Sequence, residues 1–274
     1  MNNEPLVSVV MPAYNAEEYI GEAIESILAQ TYKDFEFIIV DDGSKDRTKE
    51  IINEYTKKDN RIKVFVQEKN LGISAALNRG ISEAKGKYIV RMDTDDYSYP
   101  TRIETQVNFM ETHPKVVVSG AAIQICDEKL NLLHVRTYNP TDKAIRKNIF
   151  KYNPFAHPAT IWRKEELITA GVYNKDLCDV EDYDLYFRVG KLGEFYNLND
   201  ILLKYRQSSK GISQTKAKRQ QKLTLYIRIK AIFEYGYKMS LSDKVYFAMQ
   251  LIATVFLPAK LIYKLFFLFR KFFR

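Results

Sequence analysis

The chain predicts an α/β fold in which a mostly parallel central sheet carries helices on both faces. Three observations lead there. Four short apolar runs alternate with three stretches of helical periodicity, the turns between them are short, and acidic residues gather at the ends of two of the runs. Alternation of this kind builds parallel sheets covered on both sides, and such sheets bind ligands beyond the carboxyl ends of their strands.

Leu6 to Met11 is the first strand and stops at Pro12. Tyr19, Ile20, Ala23, Ile24, Ile27 and Leu28 then recur at helical spacing and form one apolar stripe. Phe35 to Val40 is a second near-continuous apolar run, ending at Asp41-Asp42-Gly43-Ser44. A helix marked by Ile51, Ile52 and Tyr55 leads to a third strand at Ile62–Val66. The next helix, Ser74 to Ala84, is flanked by Gly72 and Gly86 and precedes a strand over Tyr88–Met92. Beyond Pro100 the alternation loosens. Arg102 to Glu111 reads as helix, Val116 to Gly120 as a buried strand, and Glu181-Asp182 as the opening of a helix with Leu185, Val189 and Leu192 in register. Residues 127–160 give mixed signals.

The 274 residues, 46% hydrophobic and 28% charged, suit one large domain with an appendage. We place the boundary near Gly211–Thr215, giving a domain over 1–213 and a basic helical region over 214–274. Cys126 and Cys178 offer no disulfide framework, and His113, His134 and His157 are too scattered for a zinc site. Met1 to Pro5 lacks the basic and apolar regions of a signal peptide, so a cytoplasmic location is expected. The net charge of +8 is uneven: residues 201–274 hold 16 Lys and Arg against two acids, which makes the rest of the chain net acidic. A basic tail on an acidic body points to a polyanion, either nucleic acid or anionic lipid.

Asp93, Asp95 and Asp96 stand within four positions directly after a strand. Carboxylates so close repel one another, and a hard divalent cation shared with a phosphorylated ligand would offset that cost; a solvated acidic turn is the plainer reading. Asp41-Asp42-Gly43-Ser44 can accept a ligand's N–H or O–H groups around a tight turn, or can simply cap the following helix. Asn70 to Gly80 is a helix start whose small residues admit either a ligand or close packing on a sheet. Glu181-Asp182 opens a helix where the dipole keeps a carboxylate ionised, which is also where capping acids are commonplace.

In this order the segments resemble the family-2 glycosyltransferases, inverting enzymes of the GT-A fold. The matching text is Val9-Val10-Met11-Pro12-Ala13-Tyr14-Asn15, Ser26 to Tyr32, Val40-Asp41-Asp42-Gly43-Ser44, Asn70 to Gly80, Arg91-Met92-Asp93-Thr94-Asp95-Asp96, His157-Pro158 and Glu181 to Leu185. It spans roughly residues 5–213. The resemblance implies roles at matching positions. Asp42 would contact the nucleotide base, with Pro12, Tyr14 and Asn15 forming the base and ribose pocket and Asn70, Gly72 and Arg79 contributing to nucleotide-sugar binding. Asp93 would hold the ribose or sugar, and Asp95 would bind Mg²⁺ or Mn²⁺ at the donor diphosphate. Asp182 would be the catalytic base, with Glu181 supporting it on the acceptor side. Arg206 matches loosely a basic group over the diphosphate, and His157 occupies a recurrent position near the site or serves as a hydrogen-bonded structural histidine. The implied donor is a nucleotide sugar, expected to be a UDP-sugar because a carboxylate suits the uracil N–H.

The tail bears on the polyanion. Val245 to Leu257 is an apolar run of 13 residues broken by Gln250 and Thr254, shorter than the ~20 residues that span a bilayer. After Pro258, Lys260, Lys264, Lys271 and Arg274 share one helical face, with Ile262, Phe266, Phe269 and Phe273 on the opposite one. This is the pattern of an interfacial helix among anionic headgroups; a helix docked on the protein itself or on a second subunit is the alternative. Segregated aromatics disfavour nucleic acid. The expectation is a transferase peripheral to the inner face of the cell membrane, acting on a lipid-linked saccharide in surface polysaccharide or glycolipid synthesis. A catalytically inactive GT-A domain serving as a membrane-associated scaffold is the competing class. A nucleotidyltransferase ranks last, since Pro12-Ala13-Tyr14-Asn15-Ala16 lacks a glycine-rich basic loop.

Overall fold

The computed structural model describes residues 6–207 and 217–256. Its nine strands form one sheet: β1 (Val7–Ala13), β2 (Phe35–Asp41), β3 (Ile62–Val66), β4 (Tyr88–Arg91), β5 (Tyr97–Ser98), β6 (Val116–Cys126), β7 (Leu132–Arg136), β8 (Ile161–Arg163) and β9 (Glu194–Arg206). The order is β3-β2-β1-β4-β8-β6-β9-β5, with β7 paired to β6. The parallel α/β reading holds through β1–β4, which are joined by α1 (Ile20–Leu28), α2 (Thr48–Thr56) and α3 (Ile73–Glu83). Beyond β4 the sheet becomes mixed, because β8 runs antiparallel to both β4 and β6 while β6 and β9 run parallel.

β1 and β2 are buried along their whole length, which is why their sequences read as unbroken apolar runs. Helices α1 and α4 (Arg102–Thr112) pack their apolar stripes on one face, where Ile24, Ile27, Phe37, Ile103 and Met110 meet. On the other face α3 joins α5 (Asp142–Asn148), α6 (Lys164–Thr169) and α7 (Glu181–Val189) around Trp162, whose ring stacks on Tyr186 with centroids 5.3 Å apart.

Registers bring the chemically loaded loops together. Ala13 lies opposite Asp41, and Val10 opposite Arg91, so the segments following β1, β2 and β4 emerge side by side where strand order reverses. Arg102, fully buried, fixes the next neighbour: Nη2 donates to the Arg91 carbonyl at 2.7 Å, and Gln106 donates to the Ala159 carbonyl at 2.8 Å. Together they tie the end of β4 to the 3-10 turn His157–Ala159.

Two further helices, α8 (Ala217–Phe233) and α9 (Leu241–Phe256), follow. α8 docks on α7: Ile227 and Ala231 join its core, and Tyr235 just beyond donates to Asp184 at 2.9 Å. Leu241, Val245, Met249, Ile252 and Phe256 make a stripe on α9, each 41–79% exposed. Among the described residues no helix is long and apolar enough to cross a membrane. The expected amphipathic segment 258–274 and the boundary near 211–215 lie outside the described residues.

Candidate functional site

Two cavities open at the carboxyl ends of β1, β2 and β4, and Asp93 and Asp179 line both. The first, ≈ 600 Å³, is walled by Pro12, Tyr14, Asn15, Asn70, Gly72 and Asp95, with Asp42 at its base. That size suits a small-molecule ligand. Asp42 is 3% exposed. Its Oδ1 accepts from Gln67 Nε2 at 2.6 Å and from the Leu71 N–H at 2.8 Å, and its Oδ2 accepts from the Gly72 N–H at 2.8 Å. Burial pushes the carboxyl up while the Leu71 and Gly72 bonds pull it down. A carboxylate offers about four acceptor sites, so three bonds leave room for one ligand N–H. Gly72 reaches Asp42 at φ 91°, and Gly43 holds φ 71° with the Lys69 backbone where a Cβ would sit 2.8 Å away. Only glycine adopts such turns without strain.

The acidic loop adjoins this cleft. Asp93, Asp95 and Asp96 offer carboxylate oxygens that all lie within 4.8 Å of one another. Burial and then the Asp93 charge push Asp95 up to about 6, and burial with the Asp95 charge pushes Asp96 well above its ordinary range. Asp96 Oδ2 is buried without a hydrogen bond. A set of hard, crowded oxygens with an orphaned acceptor fits a divalent cation, with Asp95 facing the cleft.

Arg206 departs from its expected place over a diphosphate. It ends β9 behind the loop, where its N–H bonds Asp96 at 3.0 Å and its Nε donates to the Asp95 carbonyl at 2.7 Å. Nη2 pairs with Glu22 at 2.5 Å, Nη1 donates to the Glu128 carbonyl, and the guanidinium lies 4.1 Å from the Tyr19 ring centre. A buried guanidinium requires partners for its donors, and the loop supplies them. Arg79 likewise stands outside both cavities, pairing with Glu83 at 2.9 Å and covering Phe65.

The second cavity, ≈ 420 Å³, holds Glu181, Asp182, His157 and Arg91. Glu181 and Asp182 open α7, where the helix dipole faces the cavity. Asp182 Oδ2 accepts from Asn153 Nδ2 at 2.5 Å and Oδ1 from the Tyr183 N–H at 2.7 Å, a fixed orientation for a carboxylate. Burial raises its pKa and the Asn153 bond opposes that rise. Glu181 is 7% exposed, and burial followed by the Asp182 charge pushes it up to about 7. His157 shares a 2.7 Å hydrogen bond with the Tyr173 hydroxyl; burial and Arg91 hold it far below its usual range, so it is neutral at pH 7.

The sequence reading passed over Gln67, Asn153 and Arg91. Asn153 lies in the stretch without periodic signal, and only the fold brings it to Asp182. α8 and α9 also line this cavity: Gln220 Nε2 donates to the Asp179 carbonyl at 3.0 Å, and Arg228 Nε donates to the Tyr183 hydroxyl at 3.1 Å.

Residues 8–170 match the family model described as Glycosyl transferase family 2. The chain is 36% identical over 268 residues to the putative glycosyltransferase EpsE of Bacillus subtilis, covering 94% of this chain and 92% of that relative. It is 35% identical over 209 residues to the amylovoran biosynthesis glycosyltransferase AmsE of Erwinia amylovora, covering 74% and 77%. Among solved structures, S. aureus TarS 1-349 in complex with UDP superposes with TM-score 0.67 at 22% identity, covering 90% of this chain and 71% of that one. The Pyrobaculum calidifontis mannosyltransferase in complex with GDP-Man and Mn²⁺ gives TM-score 0.67 at 18% identity, covering 92% and 70%.

Proposed function

The chain belongs to glycosyl transferase family 2 and is a glycosyltransferase of GT-A-like fold, and from that premise we propose a metal-dependent, inverting transfer from a UDP-sugar to a hydroxyl of a lipid-linked saccharide. A nucleotide sugar is the donor class of this enzyme. The observation that carries the finer reading is the pair of abutting cavities: Asp42 stands in one, Asp182 in the other, and Asp93 lines both. Such an arrangement suits a donor whose nucleotide fills the first and whose sugar projects past Asp93 towards the base.

In this reading Asp42 accepts from the base, Tyr14 and Asn15 flank base and ribose, and Asn70 and Gly72 close the cleft. Asp182, ionised and held by Asn153, takes the proton of the acceptor hydroxyl as the new C1–O bond forms. Base and leaving group lie on opposite sides of the sugar carbon, so a single displacement inverts the anomeric centre. A Mg²⁺ or Mn²⁺ ion held by Asp95 would stabilise charge on the departing nucleoside diphosphate. Glu181, which burial and the Asp182 charge push up to about 7, keeps its proton more readily than an ordinary carboxylate and is suited to hydrogen-bond the acceptor rather than to act as a second base.

The exposed apolar stripe of α9 and the basic, aromatic segment that follows it in sequence support attachment to an anionic membrane surface, and with it a lipid-linked acceptor. The names of relatives such as the amylovoran enzyme support a place in polysaccharide synthesis.

The test is nucleotide release from a panel of UDP-, GDP- and dTDP-sugars with Mn²⁺ or Mg²⁺, in wild type, Asp95→Ala and Asp182→Asn. Release from one donor, lost on chelation and in both variants, supports the reading. Undiminished turnover in EDTA would sink the metal dependence, and undiminished turnover by Asp182→Asn would sink the assignment of the base.

A further inference from the structure

Four arginines are buried among the described residues: Arg91, Arg102, Arg206 and Arg228. In three of them the Nε has a partner. Arg102 Nε donates to Gln106 at 3.2 Å, Arg206 Nε to the Asp95 carbonyl and Arg228 Nε to Tyr183. Arg91 differs. It is 4% exposed and forms an ion pair with Asp93 through Nη1, yet neither Nε nor Nη1 has a hydrogen bond. A guanidinium held out of water with an unmade bond costs stability unless something completes it. Arg91 faces the cavity that contains Asp182.

We infer that Arg91 is a sugar-binding residue: it holds Asp93 through Nη1 and donates from Nε to an oxygen of the sugar being transferred. The inference rests on the transferase reading above. Its complement lies in the same cavity, where Glu181 Oε2 is buried and also lacks a hydrogen bond. A donor and a carboxyl oxygen without partners, on two residues that line one cavity, match the mixed donor and acceptor character of sugar hydroxyls. Asp93 and Asp182 line the same space, and a neutral sugar, whose hydroxyls both donate and accept, fits it.

The experiment compares Arg91→Lys and Arg91→Gln with wild type in the intact chain. Binding of UDP and GDP is measured beside binding and hydrolysis of UDP-GlcNAc, UDP-glucose, UDP-galactose, UDP-glucuronic acid and GDP-mannose. A sugar-binding role predicts that the variants keep nucleoside diphosphate affinity within about threefold. Their kcat/KM for the sugar nucleotide should fall about 10- to 100-fold, as for one lost hydrogen bond to a charged group. Deoxy analogues of the preferred sugar complete the test: one should weaken wild type by a similar factor and leave Arg91→Gln no worse. Parallel loss of UDP affinity would overturn the inference in favour of a strut for Asp93, and unchanged kcat/KM would overturn it outright. Should both variants fail to fold, wild type decides, since equal turnover of every deoxy analogue excludes a sugar contact and a selective loss supports it. A wild type that binds no nucleotide at all would instead remove the transferase reading, which is a separate outcome.

Discussion

Asp182 and Glu181 are adjacent carboxylates with different surroundings, and the proposed roles differ accordingly. Asp182 accepts two hydrogen bonds, whereas Glu181 Oε2 accepts none and burial drives its pKa up to about 7. Replacing Asp182 with Asn should lower kcat about 10²- to 10⁴-fold, the range for a lost general base, with the far-ultraviolet circular dichroism unchanged. Glu181 makes a prediction about stability. Its folded pKa lies above its ordinary 4.5, so the folded state holds the proton more tightly than the unfolded chain. Stability from this group is fully present below about 4.5 and is lost as pH rises through about 7. Glu181→Gln should therefore gain on the order of 1–3 kcal/mol at pH 8 and flatten the pH dependence between 5 and 8, read by urea unfolding in EDTA. An unchanged slope would show that Glu181 is solvated after all.

At the scale of elements, the last residue of β9 braces the acidic loop of Asp93, Asp95 and Asp96. Arg206 ties Asp95, Asp96, Glu22 and Glu128 through one side chain and its own backbone. Arg206→Ala should cost about 1–2 kcal/mol by urea unfolding, since it removes the donor to the partly buried Asp95 and Glu128 carbonyls. It should also raise the Mn²⁺ concentration needed for half-maximal activity, because Asp95 loses its support. A variant as stable as wild type would show that the loop is held by other contacts. The helices α8 and α9 also reach the candidate site. They line the cavity of Asp182; α8 donates to the Asp179 carbonyl and the Tyr183 hydroxyl, and Tyr235 beyond its end donates to Asp184.

For the whole molecule, an acidic body and a basic, aromatic end predict a preferred orientation at a charged surface. The intact chain should float with vesicles containing anionic lipid at low salt and dissociate as salt rises. Removal of residues 257–274 should weaken that binding at least about tenfold while donor hydrolysis by the soluble protein persists. Equal flotation of the shortened chain would move the attachment to the exposed stripe of α9 or dispose of it.

The N-terminal half was legible in the sequence because its signals are local. Apolar runs, helical stripes and turn residues each act over a few positions, so β1–β4, α1–α3 and the acids at their ends could be placed without a partner in view. The family text carried the candidate residues further along, including Glu181-Asp182. What the sequence left open depends on contacts between distant segments. The role of Arg206 turns on its approach to Asp95, 111 residues away, and the setting of Asp182 on Asn153, 29 residues away. The unmade bond of Arg91 has no sequence signal whatever. Side-chain type and spacing determined which strands and helices form and which acids meet at their ends; only tertiary packing decided which donors are satisfied, because desolvation belongs to the folded surroundings and not to the residue.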